Sequence, residues 1–177
     1  GVQTCALPIL RKRHGQTVVD ACYLVCAVHA LGLEVPLDYL ERIFNIKSAR
    51  TEILTKTEGF LLPPSAISRN YGVHTRHTVI ASTVFSRDAA AYERLAQFIE
   101  ADIQLGWGQR TPKLCHALRL QQKYQRLDIE QLRLVFEPAA KQPNIRKYIF
   151  QIWALLEKEA GYIKQARKLF KAGTDAD

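Results

Sequence analysis

The sequence predicts a mainly α-helical chain in two parts: three helices closed by a β-hairpin, and then a set of antiparallel α-hairpins. Three observations carry that prediction. Apolar residues recur at helical spacing between Thr17 and Glu58, punctuated by Gly32, Pro36 and Gly59. Two apolar or β-branched runs flank a loop containing Asn70 and Gly72. The segments Asp128 to Phe136 and Tyr162 to Phe170 match at an offset of 34 residues, with Ile129/Ile163, Gln131/Gln165, Arg133/Arg167 and Phe136/Phe170 identical.

The elements follow in order. Residues 1–10 show no periodicity before the cluster Arg11-Lys12-Arg13-His14, and GVQTCALPI resembles the translation of a sequencing adapter, so a non-native or disordered leader is expected there. Thr17 to Leu31 is apolar on almost every side, a buried helix with Gly32 as its stop. Pro36 opens a second helix with Leu37, Leu40, Ile43 and Phe44 in one stripe. Ser48 caps a third helix running to Glu58, with Glu52 contributing near its start. Phe60 to Pro64 and Val73 to Ile80 form a two-stranded ribbon around the turn Ser68 to Gly72, with the prolines confining the first strand to an edge. Three helices followed by a hairpin is the order of a winged helix, so residues 11–86 are read as a winged-helix-like domain, 87–110 as a linking helix and turn, and 111–177 as two helical hairpins, expected to be truncated at the C-terminus.

Composition limits what the chain does. With 177 residues and 47% apolar content it has material for a real core. Its greasiest stretch, Val18 to Leu33, is short and broken by Asp20 and His29, which excludes a membrane-spanning helix there. Four cysteines and five histidines are too few and too scattered for a disulfide framework or structural metal, so a reducing, cytoplasmic setting is expected. A chain without methionine that starts Gly-Val-Gln-Thr is expected to be an internal piece of something longer. The net charge of +8 is uneven: residues 1–105 carry 11 Lys/Arg against 10 Asp/Glu, and residues 106–177 carry 14 against 7. Lys164, Arg167, Lys168 and Lys171 sit at helical spacing, the pattern of a solvated face.

Val73-His74-Thr75-Arg76-His77-Thr78-Val79-Ile80-Ala81, together with the helices expected towards Ser86 and over Ala89 to Leu105, resembles the wing strand and exit of the winged-helix domain of signal-transduction ATPases with numerous domains (STAND type). The stretch VVDACYLVCAVHALGLEVPLDYLERIF is similar to the start of that domain, so the resemblance covers roughly residues 15 to 105. It implies a regulatory segment that packs on the ATPase domain of the same parent chain. Arg76 and His77 are expected to tie the wing to the following helix and to serve as the interdomain contact.

Thirty-four residues is also the tetratricopeptide period. Phe150, Trp153 and Ala154 fall on a helix A, Gly161 at the turn, and Ala166 and Phe170 on a helix B; Trp153, Glu157, Gly161, Ala166 and Arg167 further resemble the half-tetratricopeptide variant of RNA-processing scaffolds. Gly161 is expected to leave helix A in a left-handed conformation and Ala166 to permit close helix approach, while Trp153 and Phe170 fill the groove between hairpins. The first copy departs from the pattern at Leu120, Leu127 and Leu132, with Phe136 retained.

Catalytic chemistry is not expected. The sequence has no GxxxxGK[ST] and no GxGxxG, so the segment carries no phosphate loop of its own and no cofactor is expected. Cys22, Cys26 and His29 share one helical face but lack a fourth ligand, and read as core residues. His74 and His77 point to opposite sides of a strand, and Cys115 and His116 diverge as neighbours on a helix. Two functions remain. The favoured one is a non-catalytic segment of a signalling ATPase that binds a protein or peptide ligand on its repeats. The other is nucleic-acid binding through the third helix and wing, or through the basic repeat face; Arg50 and Lys56, opposed by Glu52 and Glu58, make that helix a poor phosphate contact.

Overall fold

The computed structural model describes residues 6–57, 59–64, 72–124 and 127–175. It is mainly helical and falls into two compact units, Gly1–Phe98 and Ile99–Asp177. Glu58, the Ser68 to Tyr71 part of the expected turn and Arg126 lie outside the described residues. No described helix is long and apolar enough to cross a membrane.

The first unit is built around α2 (Gln16–Ala30), in which nine residues from Val18 to Val28 are buried. Its stop is where the sequence places it: the Gly32 N–H donates to the His29 carbonyl (2.9 Å) and the Leu33 N–H to the Val28 carbonyl (3.2 Å), the Schellman pattern. Pro36 is the N-cap of α3 (Leu37–Phe44), one position before the first helical turn expected for it, and the side chain that α3 buries with Leu40 is Tyr39. Tyr39 meets Phe98 with ring centroids 5.6 Å apart, a contact the four-residue stripe did not include. The third helix is shorter than expected: α4 spans Ala49–Glu52 and a separate 3-10 turn covers Leu54–Lys56. Its cap is as expected, with the Thr51 N–H donating to Ser48 Oγ (3.3 Å) and the Lys47 and Ser48 N–H groups to Glu52 Oε1 (2.9 and 3.1 Å).

Strands β1 (Leu61–Leu62) and β2 (His74–Thr75) pair antiparallel, with Leu61 opposite Thr75 and Leu62 opposite His74. One residue before β2, Val73 bridges antiparallel to Val35, in the link between α2 and α3. The ribbon therefore gains a third, single-residue rung whose partner precedes it by 38 residues. Helix α5 (Thr78–Phe85) follows and packs along α2.

Residues 6–10, expected to lie outside the fold, belong to α1 (Ala6–His14), and Leu7 and Leu10 are 5% and 4% exposed. An apolar pair three residues apart forms a face against α2 once one turn of helix exists. Removing residues 1–9 is therefore expected to lower the melting temperature of the first unit, since burial of one leucine is worth about 1.5 kcal/mol or more. An unchanged melt of the truncated chain would show that Leu7 contributes nothing.

The unit boundary falls inside α6 (Ala91–Gly106), the helix the sequence treats as a link. Leu95 and Phe98 of its first part are buried in the first unit. Arg94 ties that part to Asp20 and Asp88 (both 2.9 Å) and lies over the Tyr23 ring (5.2 Å). In the second unit, buried Asp102 caps α7 (Thr111–Tyr124): its Oδ2 accepts from the Arg110 N–H (2.9 Å), the Thr111 N–H (2.8 Å) and the Thr111 hydroxyl (2.8 Å). Three further helices follow, α8 (Ile129–Ala140), α9 (Arg146–Glu159) and α10 (Ile163–Thr174). Helices α8 and α10 begin and end 34 residues apart, and α7 packs on both α8 and α9.

Candidate interaction surface

Helix α8 is held to α9 by a cluster of four side chains, Arg133 and Phe136 on α8 and Trp153 and Glu157 on α9. Glu157 on α9 is fully buried, and a buried carboxylate requires donors. It has three: Arg133 Nε donates to Oε1 (2.8 Å) and the second guanidinium arm to Oε2 (2.9 Å), while Trp153 Nε1 donates to Oε1 (3.0 Å). The paired bonds form a two-pronged fork, and the bond to Glu157 raises the guanidinium pKa above its already high value. Arg133 also pairs with Glu130 one turn earlier and lies over the Tyr162 ring at 5.0 Å. Beside the fork, Phe136 and Trp153 stack in a tilted arrangement with centroids 5.8 Å apart.

The repeat residues singled out in the sequence divide between the two sides of this cluster. Trp153 and Phe136 are inside it, and Ala166 is buried where α10 packs on α9. Gly161 has φ +90° at the α9–α10 turn, the left-handed conformation expected of it. Near the far end of α10 a Cβ at Gly173 would lie 3.2 Å from Phe150 Cβ, so the helices approach closely there as well. Phe170, expected to fill the groove between hairpins, is instead 38% exposed. Its equivalent, Phe136, is covered because α9 lies on α8; no described helix lies in that position on α10.

These placements predict unequal tolerance along α10. Ala166→Leu overpacks the contact with α9 and is expected to cost about 1 to 3 kcal/mol. Gly161→Val forces a β-branched residue to positive φ and also destabilises, whereas Lys164→Leu on the exposed face is close to neutral. Thermal melts of the three variants check the order, and equal melting temperatures would refute it.

In the first unit, the Arg76 and His77 side chains are both exposed. His77 joins strand to helix through its backbone: it is the N-cap of α5, and its carbonyl accepts from the Ile80 N–H (3.1 Å), the Ala81 N–H (3.3 Å) and the Thr75 hydroxyl (3.1 Å). The side chain that binds the ribbon to the helices is His29, which sequence spacing had grouped with Cys22 and Cys26. Its Nδ1 accepts from the Thr75 N–H (3.3 Å) and lies 2.7 Å from Thr75 Oγ1, and its ring meets His74 edge-on at 5.6 Å. The two cysteines are fully buried thiols, with burial pushing the Cys26 thiol up to about 12 and Cys22 well above its usual value. Cys115 is likewise buried and raised, and His116 is exposed. Among the described residues no group of three or more His, Cys, Asp or Glu could hold a metal ion.

Burial, with the neighbouring His74 ring adding to it, lowers the His29 pKa, outweighing the opposite pull of Glu34. The unfolded chain therefore takes up a proton below about pH 6.5 that the folded state resists. Stability from this group is full above that pH and is lost as pH falls towards the folded value. His29→Gln is expected to reduce the loss of melting temperature between pH 7.5 and pH 5, and an identical loss in variant and wild type would refute the assignment.

Searches of protein-family models, of curated proteins and of solved structures match nothing to this chain.

Proposed function

We propose that the chain is a non-catalytic regulatory and protein-interaction segment of a larger signalling ATPase, with a winged-helix-like unit followed by tetratricopeptide-like hairpins. In this reading a protein or peptide ligand on the hairpins biases a two-state arrangement of the domains and so controls the ATPase module. The observation that carries the reading is the 34-residue register of α8 and α10, with Leu132 and Ala166, Val135 and Leu169, and Ala139 and Gly173 buried at equivalent positions. Helical hairpins stacked at that period form surfaces for partners rather than enclosed catalytic pockets. In the first unit, the order helix, bridge at Val35, helix, short helix, hairpin supports the winged-helix part, because Val35 pairs with the second hairpin strand segment at Val73.

The test is a peptide-display selection on the intact chain, run beside titrations of single- and double-stranded oligonucleotides at low and near-physiological salt. The expected result is an enriched peptide class whose binding survives the higher salt, oligonucleotide binding that collapses with salt as phosphate contacts do, and no ATP turnover. A sequence-specific oligonucleotide complex that persists at the higher salt and is lost in Arg50→Ala would replace this reading with the nucleic-acid one.

A further inference from the structure

Helix α6 ends on a loop whose most exposed side chain does little for the fold. The Gly108 N–H donates to the Asp102 carbonyl six residues earlier (2.9 Å), and Trp107 and Gly108 both take positive φ, +56° and +72°. Glycine is the usual residue at a left-handed helix stop, and glycines stand on both sides of Trp107, yet the first left-handed position carries an indole. Packing does not account for it, since Trp107 is 74% exposed where Trp153 is 7%. The loop is nevertheless braced. Asn144 Nδ2 donates to the Trp107 carbonyl (3.1 Å), and a Cβ at Gly108 would lie 3.1 Å from Ile145 Cδ1, so the loop is seated on the turn between α8 and α9. Both segments are internal to the chain and bounded on each side by described helices.

The surroundings are cationic. No Asp or Glu occurs between residues 103 and 127 or between 138 and 156. Asp102, at the edge of the first stretch, is fully buried and faces Arg110 at 4.0 Å. Lys113 is exposed in the first turn of α7, and Lys141 is exposed at the C-cap of α8. Arg146 holds two neutral groups, the Ala140 and Lys141 carbonyls (3.1 and 3.2 Å). Among the described residues none of these three cations pairs with a carboxylate.

We infer that this loop binds single-stranded nucleic acid, with a base stacked on the Trp107 ring and the neighbouring phosphates on Lys141, Arg146 and Lys113. Stacking on an exposed aromatic ring beside a cationic track holds unpaired strands without reading their sequence. A duplex hides its base faces, which leaves only the phosphate contacts. A side chain as exposed as Trp107 cannot line a deep groove for a peptide to enter, whereas a planar base needs only a face. Gln109, Gln142 and Asn144 beside it are polar, so the ring lacks the apolar skirt with which a loop enters a lipid surface. The inference is independent of the protein-interaction reading and adds a second class of ligand.

The probe is a dye-labelled oligothymidylate of about ten nucleotides, titrated with the full chain at low salt and followed by fluorescence anisotropy. Saturable binding is expected, tighter than to a duplex of the same length and weakening steeply as salt rises. Trp107→Ala should lower the affinity roughly tenfold and Trp107→Phe much less. Lys141→Gln should reduce the dependence of log affinity on log salt by about one, and Arg50→Ala, in the first unit, should change nothing. Trp107→Gly separates binding from folding. Glycine accepts the left-handed backbone, so this variant should melt at or above the wild-type temperature while binding as poorly as Trp107→Ala.

Binding indifferent to Trp107→Ala, or a duplex held as tightly as the single strand, would overturn the inference. So would a Trp107→Gly chain that melts clearly below the wild type, which would show that the ring is packed in solution. Trp107-dependent sedimentation with phosphatidylserine vesicles in place of oligonucleotide binding would assign the loop to a lipid surface. Trp107-dependent capture of displayed peptides in its place would assign the loop to a protein. If the oligonucleotide fails while displayed peptides still bind elsewhere on the chain, the interaction reading survives and only this inference falls.

Discussion

Phe136→Ala should be among the most damaging single substitutions in the second unit, with an expected loss of about 3 to 5 kcal/mol. The side chain is fully buried and stacks on Trp153, so truncation opens a cavity between α8 and α9 and removes the ring contact. Phe170→Ala, at the equivalent repeat position, should cost clearly less, about 1 to 2 kcal/mol, because that residue is 38% exposed to water. The comparison removes the same atoms from the same helical position in both copies, so the difference measures what covering by a neighbouring hairpin is worth. Denaturant melts of the two variants give the difference directly, and comparable losses would show that Phe170 is packed in solution.

Glu157→Ala is expected to destabilise the second unit by about 2 to 4 kcal/mol. It strands Trp153 Nε1 at the hairpin junction and leaves the Arg133 fork without its buried acceptor. Glu130 still neutralises Arg133 in part from the exposed side, which keeps the loss below that of a fully enclosed charge. Arg133→Ala should be less than additive with it, since either change alone removes the same two bonds. A double-mutant cycle read by thermal unfolding checks this, and strict additivity would mean that the pair contributes no coupling energy.

The candidate surface was legible in part. The offset that aligns Arg133 with Arg167 and Phe136 with Phe170 is a property of the letters alone, and it located the helices α8 and α10 that carry the surface. Gly161 and Ala166 took the roles their residue types imply, because left-handed backbone and close helix approach admit few side chains. Phe170 did not. Whether an aromatic fills a groove depends on a neighbour on its outer side, and no signal within its own helix reports that neighbour. Glu157 was visible only as a repeat-pattern residue; its partner Arg133 lies 24 residues earlier, too far for any helical pairing rule.

The sequence by itself determined the helical class, the stop of α2 at Gly32, the Ser48 cap and the period of the hairpins. All of these are set by interactions within a few residues along the chain: backbone dihedrals, cap hydrogen bonds and the periodic placement of apolar side chains. Tertiary structure decided the Val35–Val73 bridge, the role of His29 against Thr75, the burial of Leu7 and Leu10, and the contrast between Phe136 and Phe170. Each of these depends on which surfaces meet in space, and burial, desolvation and the satisfaction of a buried charge exist only once distant segments have come together.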